Sequence, residues 1–312
     1  MKVAALDLGS NSFLCLIAEV SHTGIGQVYS DHVEIVRLGQ GLNLTKKFST
    51  DALQRAEQCL AKFSKIINEH KPDKILAMAT SAARDATNKE ELFYIAKKYN
   101  IPIEIISGDL EASITYQGAI SGNIIENSNE NQNLMVVDVG GGSTEFIFGQ
   151  GQNILKCHSR NIGCVRLTEQ FITSQPTPEH EITLARDFID EQIKKIKLDL
   201  SQDLWPKNIV AVAGTPTTLA AAELGAFDVT KINGYKLDHQ KLKNWFDKLK
   251  NATICEKITM GIPEGRADVI LIGVMILLRT LELFELDHMT VSTRGVRYGI
   301  ALELGRRFLS KH

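Results

Sequence analysis

VAALDLGSNSFLCLIAEV, residues Val3 to Val20, and LMVVDVGGGSTEFIFGQG, residues Leu134 to Gly151, are two copies of one design. Each runs an apolar strand into an Asp, then a turn of small residues, then a second apolar strand. Apolar runs joined by Gly, Ser and Asn read as a β-hairpin with a polar tip. Meeting that hairpin near the start of each half predicts two lobes of related design. The 312 residues also exceed what one hydrophobic core usually organises, so two lobes with a cleft between them are expected.

Outward from the first hairpin, a third strand is expected near His32 to Leu38 and an amphipathic helix over Thr50 to Glu69, capped at Thr50. Strand Ile75 to Ala79, helix Glu90 to Tyr99, strand Ile103 to Ile106 and a helical pattern from Gly108 to Gly122 then alternate as βαβ units do. The polar run ENSNENQ, Glu126 to Gln132, suits an exposed turn and marks the lobe boundary. Beyond the second hairpin come helix Pro178 to Leu200, strand Ile209 to Ala213, helix Thr217 to Leu224 and an apolar helix after Arg266. By fold analogy rather than by any pattern in the residues, the last helix, Val296 to Leu309, is expected to pack back on the first lobe. The first lobe is therefore residues 1–125 plus 298–312 and the second 126–297. The fold class is α/β, two mixed sheets with flanking helices.

Lys and Arg total 35 against 37 Asp and Glu, a net charge of −2. No global electrostatic footprint for a nucleic-acid polymer or an anionic membrane results, so a polyanion must be held by local donors. Five cysteines without a CxxC pair read as structural thiols rather than a disulfide framework or zinc cluster. No basic, apolar and small-residue succession opens the chain, so a cytoplasmic location is expected. The most apolar window, Val269 to Leu278, is about half the ~20 residues of a membrane span and reads as a core helix.

The chemistry concentrates in the turns. Asp138 to Glu145, DVGGGSTE, sets Gly140, Gly141 and Gly142 before Ser143, so backbone N–H groups can approach an anion unobstructed. Phe146 to Phe148 continue as a strand, whereas a Walker loop or dinucleotide fingerprint opens a helix. Asp138 and Glu145 flank the loop with hard oxygens that suit Mg²⁺. Asp7, Asn11 and Ser12 in DLGSNS offer the same chemistry, and a plain Asx turn would use the same residues. Glu111 in SGDLEA falls in a first helical turn, where either a favourable helix-dipole interaction or catalysis explains a carboxylate. Arg84 fits a phosphate grip or a solvated surface. In AGTPTTL, Gly214 and Thr215 precede Pro216, with Thr215 as a cap and Pro216 at the first helical position, leaving N–H groups for an anion. Arg266 is a further polar group at an element end, a candidate phosphate or nucleotide contact. His158, Cys157 and Cys164 fit no zinc spacing.

With these residues in hand, the chain resembles the exopolyphosphatase and guanosine pentaphosphate phosphohydrolase family of the actin, sugar kinase and Hsp70 ATPase superfamily. DLGSNSF at Asp7, the Arg84 segment, IEIISGDLEA at Ile103, DVGGGSTE at Asp138, GCVRLTE at Gly163, AGTPTTL at Ala213 and GRADVI at Gly265 carry the resemblance. It implies two ribonuclease H-like lobes, Glu111 as catalytic carboxylate, and Asp138, Gly140 to Ser143 and Glu145 binding phosphate and metal. Asp7, Asn11, Ser12 and Arg84 complete the cradle, with Mg²⁺ needed and K⁺ a common helper in the family. In STRGVRYG, Tyr298 stands where an acidic residue is usual, which leaves the roles of Arg294 and Arg297 open. The expected reaction is release of terminal phosphate from polyphosphate, short chains favoured for want of a basic groove. Guanosine pentaphosphate is the alternative substrate, and a small-molecule kinase or a guanosine tetraphosphate sensor are rival classes. A homodimer is compatible with the reading.

Overall fold

The computed structural model describes residues 1–122 and 132–309. The polar run expected at the lobe boundary lies outside them except for Gln132. Two compact units result, Met1–Ser121 with Arg294–His312, and Gly122–Thr293. Both crossings come a few residues ahead of the expected 125 and 297.

The first unit opens with β1 (Lys2–Leu8), β2 (Ser12–Ser21) and β3 (Gly24–Ile35), then α1 (Leu42–Thr45), α2 (Thr50–His70), β4 (Lys74–Ala79) and α3 (Ser81–Asp85). It continues through α4 (Glu90–Lys98), β5 (Ile103–Ile105) and α5 (Gly108–Ile120). The second unit runs β6 (Asn133–Val139), β7 (Thr144–Gln150), β8 (Asn153–Arg160), α6 (Cys164–Phe171), α7 (Glu179–Leu198), β9 (Asn208–Val212) and α8 (Gly214–Leu224). It closes through α9 (Val229–Ile232), β10 (Lys236–Asp238), α10 (His239–Lys250), α11 (Ile254–Thr259), α12 (Glu264–Ala267), α13 (Ile270–Phe284) and β11 (His288–Val291). The last helix, α14 (Val296–Leu309), belongs to the first unit.

The sheets are ordered β3-β2-β1-β4-β5 and β10-β11-β9-β6-β7-β8. In both, an antiparallel meander is followed by a strand parallel to the first, β4 beside β1 and β9 beside β6. The repeat read from the hairpins thus extends to whole sheets. Among the described residues no helix is long and apolar enough to cross a membrane.

The unbroken apolar run of β1 follows from burial on both faces, which removes the polar alternation of a half-exposed strand. Ala4, Leu6 and Leu8 pack with Ala56, Leu60 and Phe63 of α2. Val3 and Ala5 face Ile300, Ala301 and Leu304 of α14. Asp7 continues that second face by strand alternation. On the same side α5 and α14 approach to backbone contact: a Cβ on Gly118 would lie 2.1 Å from Gly295 O, and one on Gly299 would lie 1.9 Å from Ile114 O. Only glycine permits this spacing.

Three local expectations are corrected. The third strand covers Gly24–Ile35, not His32 to Leu38, because Val36, Arg37 and Gly39 turn their N–H groups to the carbonyls of the first hairpin tip. The cap of α2 is Ser49, whose hydroxyl accepts from Ala52 N–H at 3.2 Å. Helix α8 starts at Gly214, with Ala213 as cap, so Thr215 and Pro216 lie inside its first turn.

Candidate active site

The two hairpin tips share one turn geometry. Leu8 lies opposite Phe13 and Val139 opposite Thr144. Gly9 N–H donates to Ser12 O at 3.1 Å, and Gly140 N–H to Ser143 O at 3.0 Å. A Cβ on either glycine would meet that same carbonyl oxygen at 3.0 Å.

Behind the second tip, the first turn of α6 takes up the loop carbonyls. Cys164 N–H donates to Gly140 O at 2.9 Å, while Val165 and Arg166 N–H donate to Gly141 O at 2.9 and 3.0 Å. Arg166 Nε–H donates to Gly142 O at 2.7 Å. In a trans peptide the C=O and the following N–H point in opposite directions. Three carbonyls held from behind therefore turn the N–H groups of Gly141, Gly142 and Ser143 the other way, and among the described residues none of the three has a protein acceptor. Behind the first tip, Gly39 N–H donates to Ser10 O at 2.8 Å, and Val36 and Arg37 N–H donate to Asn11 O at 3.0 and 2.8 Å. Asn11 adds a side chain that is only 6% exposed, with neither Oδ1 nor Nδ2 hydrogen bonded within the protein. A buried amide in that condition carries a desolvation cost that a polar ligand would relieve.

In the first unit, Ser107 caps α5 by accepting from Leu110 N–H at 3.2 Å, which sets Glu111 in the helix start. Glu111 is 6% exposed. Arg84 Nη1 donates to Glu111 Oε2 at 2.6 Å and to Ile106 O at 2.9 Å. Burial raises the Glu111 pKa above the ordinary carboxylate value, and the adjacent guanidinium offsets part of that rise. Arg84 is thus an orienting partner of the carboxylate as well as a phosphate candidate, since its Nε and Nη2 make no hydrogen bond among the described residues. The pair explains Glu111 better than the helix dipole alone.

Sequence reasoning missed Asp31. On β3 it accepts from Arg297 Nε and Nη2 at 2.6 and 2.9 Å and from the Tyr298 hydroxyl at 3.1 Å. An acid from strand β3 thus meets both Arg297 and Tyr298 of helix α14. Burial alone would lower the Arg297 pKa, but Asp31, with lesser help from Asp7, raises it. Arg294 instead donates to Ser121 O at 2.8 Å.

In the second unit, Asp138, Glu145 and Ser159 lie opposite one another across β6, β7 and β8 and so share a face. Ser159 hydroxyl donates to Glu145 Oε1 at 2.8 Å and fixes a carboxylate that is 1% exposed. Neither Ser159 nor Arg166 was singled out from sequence; for Arg166 the amphipathic octamer of α6 was the available signal, and for Ser159, on β8, no local signal was. A Cβ on Gly214 would fall 1.6 Å from Arg266 Nη1, so that guanidinium occupies the space glycine leaves at the start of α8. Burial lowers the Arg266 pKa, and burial pushes the Cys164 thiol up to about 11 against the pull of Arg266. Arg266 therefore belongs to the corner where α6 backs the glycine loop. Thr215 does not cap: its side chain is buried against α13, where a Cβ on Gly273 would lie 2.4 Å from Thr215 Oγ1.

Asp138 and Glu145 offer hard carboxylate oxygens of the kind Mg²⁺ takes, and Asp7 stands at the matching position of the first hairpin. No group of three or more His, Cys, Asp or Glu among the described residues could hold a metal by itself.

The Ppx/GppA phosphatase family model matches residues 16–308. Exopolyphosphatase 2 of Mycobacterium tuberculosis is 33% identical, covering 97% of this chain and 98% of that protein. A bifunctional 3-dehydroquinate synthase/phosphatase of Fusobacterium nucleatum is 35% identical over 96% of this chain, which spans 46% of its length. A guanosine-5'-triphosphate,3'-diphosphate pyrophosphatase of Vibrio parahaemolyticus is 32% identical over 96% of this chain and 59% of its own. The crystal structure of the Aquifex aeolicus member of the family superposes with a TM-score of 0.80 at 31% identity, covering 99% of both chains.

Proposed function

This chain belongs to the Ppx/GppA phosphatase family, and on that premise we propose that it releases terminal orthophosphate from inorganic polyphosphate, short chains in preference to long. The observation that carries the reading is the buried Glu111 carboxylate held at 2.6 Å by Arg84. A carboxylate with a raised pKa orients a water and takes its proton as the water attacks the terminal phosphorus in line. Arg84, through Nε and Nη2, together with the N–H groups of Gly141, Gly142 and Ser143 and the Asn11 side chain, binds the phosphate oxygens as charge shifts to the leaving chain. Ser12, Gly214 and Arg266 are assigned to the same polyanion; Thr215 contributes backbone only. Asp138 and Glu145, with Asp7 as the corresponding carboxylate of the other unit, are the residues that would hold Mg²⁺, which when bound supplies charge neutralisation on the phosphate. K⁺ as a further activator, a cytoplasmic location and a homodimer belong to the same proposal.

Guanosine pentaphosphate is the second reading, favoured by the Vibrio parahaemolyticus relative's name. Phosphate release from size-fractionated polyphosphate and from the nucleotide, with and without Mg²⁺, separates them. The short-chain preference rests on the net charge of −2, and the highest rate on the longest polymer would contradict it. Glu111→Gln is expected to lower kcat by about 10² to 10⁴ with the fold intact. Turnover near the parent's would remove Glu111 from the role of base.

A further inference from the structure

We propose that Arg166 is a positioning residue for the reaction: by holding Gly142 O from the α6 side, it turns Ser143 N–H, and with it the face of the glycine loop, towards the substrate. The inference rests on the reading of residues 140–143 as phosphate donors, and it assigns a task to a side chain that touches no reacting atom.

Three features converge. Gly163 begins the contact, since a Cβ there would stand 2.3 Å from Gly141 O and 2.4 Å from the carbonyl carbons of Gly141 and Gly142. Its φ of −86° is open to any residue, so the requirement is for space. The backbone N–H groups of Cys164, Val165 and Arg166 then hold Gly140 O and Gly141 O. They are orphan donors of a helix start, which need acceptors in any fold. No backbone donor is left in register for Gly142 O, and Arg166 Nε–H supplies the bond at 2.7 Å. The third outward amide is thus set by a side chain, whereas the first two are set by the helix. A guanidinium donor to a carbonyl makes a stronger bond than a neutral one. The positive end of the α6 dipole behind the loop further favours an anion in front of it. The first hairpin performs the same task with backbone alone, through Val36, Arg37 and Gly39, so Arg166 is peculiar to the glycine tip.

The test compares Arg166→Ala, Arg166→Lys and Arg166→Gln with the parent by turnover of tripolyphosphate per folded molecule. In parallel, ¹H–¹⁵N spectra follow Gly141, Gly142 and Ser143 with and without tripolyphosphate and Mg²⁺. Expected for R166A is a loss of about ten- to a hundredfold, mainly in kcat, because loop misplacement acts most on the transition state. The Ser143 amide signal moves in the ligand-free protein, and R166K recovers most of the loss because an ammonium also donates. If R166A does not fold, R166K and R166Q carry the comparison. Turnover per folded molecule within twofold of the parent, with Gly142 and Ser143 signals unmoved, overturns the proposal. If the parent itself neither turns over tripolyphosphate nor shifts these amides on adding it, the functional reading fails. The ligand-free Ser143 signal then still decides whether Arg166 sets the loop.

Discussion

Replacing Gly299 by Ala tests whether the glycine contact between α5 and α14 sets the position of Glu111. The added Cβ would stand 1.9 Å from Ile114 O and 2.7 Å from Ile114 C, both backbone atoms of α5. No rotamer change relieves such a clash. Restoring an ordinary 3.4 Å contact requires the helices to part by about 1.5 Å. Ile114 is one turn beyond Glu111 on the same helix, so most of that shift reaches the carboxylate and its 2.6 Å bond to Arg84. A misplacement near 1 Å costs on the order of 10² in rate, or about 2.7 kcal/mol of barrier. Overpacking of this kind also removes ~1–3 kcal/mol of stability. Gly305→Ala on the same helix is the control, since a Cβ there meets side-chain atoms at ordinary contact distance, Val20 at 3.5 Å and Leu309 at 3.8 Å. Phosphate-release kinetics and thermal melts of both variants form the assay. The expected result is G299A slowed by about 10² in kcat and melting earlier, beside a G305A that works like the parent. A folded G299A with kcat within threefold of the parent would refute the reasoning.

Two further outcomes depend on pH. On the proposed reading Glu111 works as base only when ionised, so kcat/KM is expected to rise with pH through its elevated pKa, and Arg84→Ala, by removing the group that lowers that pKa, is expected to move the acid limb to still higher pH. A limb that stays put or moves down counts against the pairing. Lys257 is fully buried, donates to Gln175 Oε1, and is driven by burial from the usual 10.5 to about 8 with Asp268 opposing. The unfolded chain therefore holds more protons than the folded one between those values, and stability rises with pH across that window. Lys257→Met removes this dependence: its melting advantage over the parent at pH 7 narrows by pH 10, and an equal gap at both would refute the account.

The hairpins were legible because strand periodicity and small-residue turns are local signals, whereas the order of strands beyond them, β4 beside β1 and β9 beside β6, comes from the fold. Glu111 was legible only as a carboxylate near a helix start; its pairing with Arg84 joins residues on two elements that no spacing rule links. Asp31 was invisible for the same reason, since its partners Arg297 and Tyr298 stand at the far end of the chain. The cap at Thr215 failed on packing: burial of the Thr215 side chain against Gly273 outweighs the local preference for a hydroxyl cap. The third strand was misplaced because periodicity cannot tell an N–H that pairs with a strand from one that pairs with a turn.

The backing of the two tips also accounts for their different sequences. In the second unit a Cβ on Gly163, at the start of α6, would fall 2.3 Å from Gly141 O, so the helix start sits directly behind a tip of three glycines and Ser143. In the first, the turn from Val36 to Gly39 does the holding, and a Cβ on Gly39 would meet Ser10 Cβ at a tolerable 3.2 Å. Side chains fit there, and the tip carries Ser10 and Asn11 where the second has Gly141 and Gly142, with Ser12 matching Ser143. The repeated fold thus yields one tip that is mostly glycine backbone and one that is chemically varied. The varied tip belongs to the unit that also holds the buried Glu111 and its Arg84 partner.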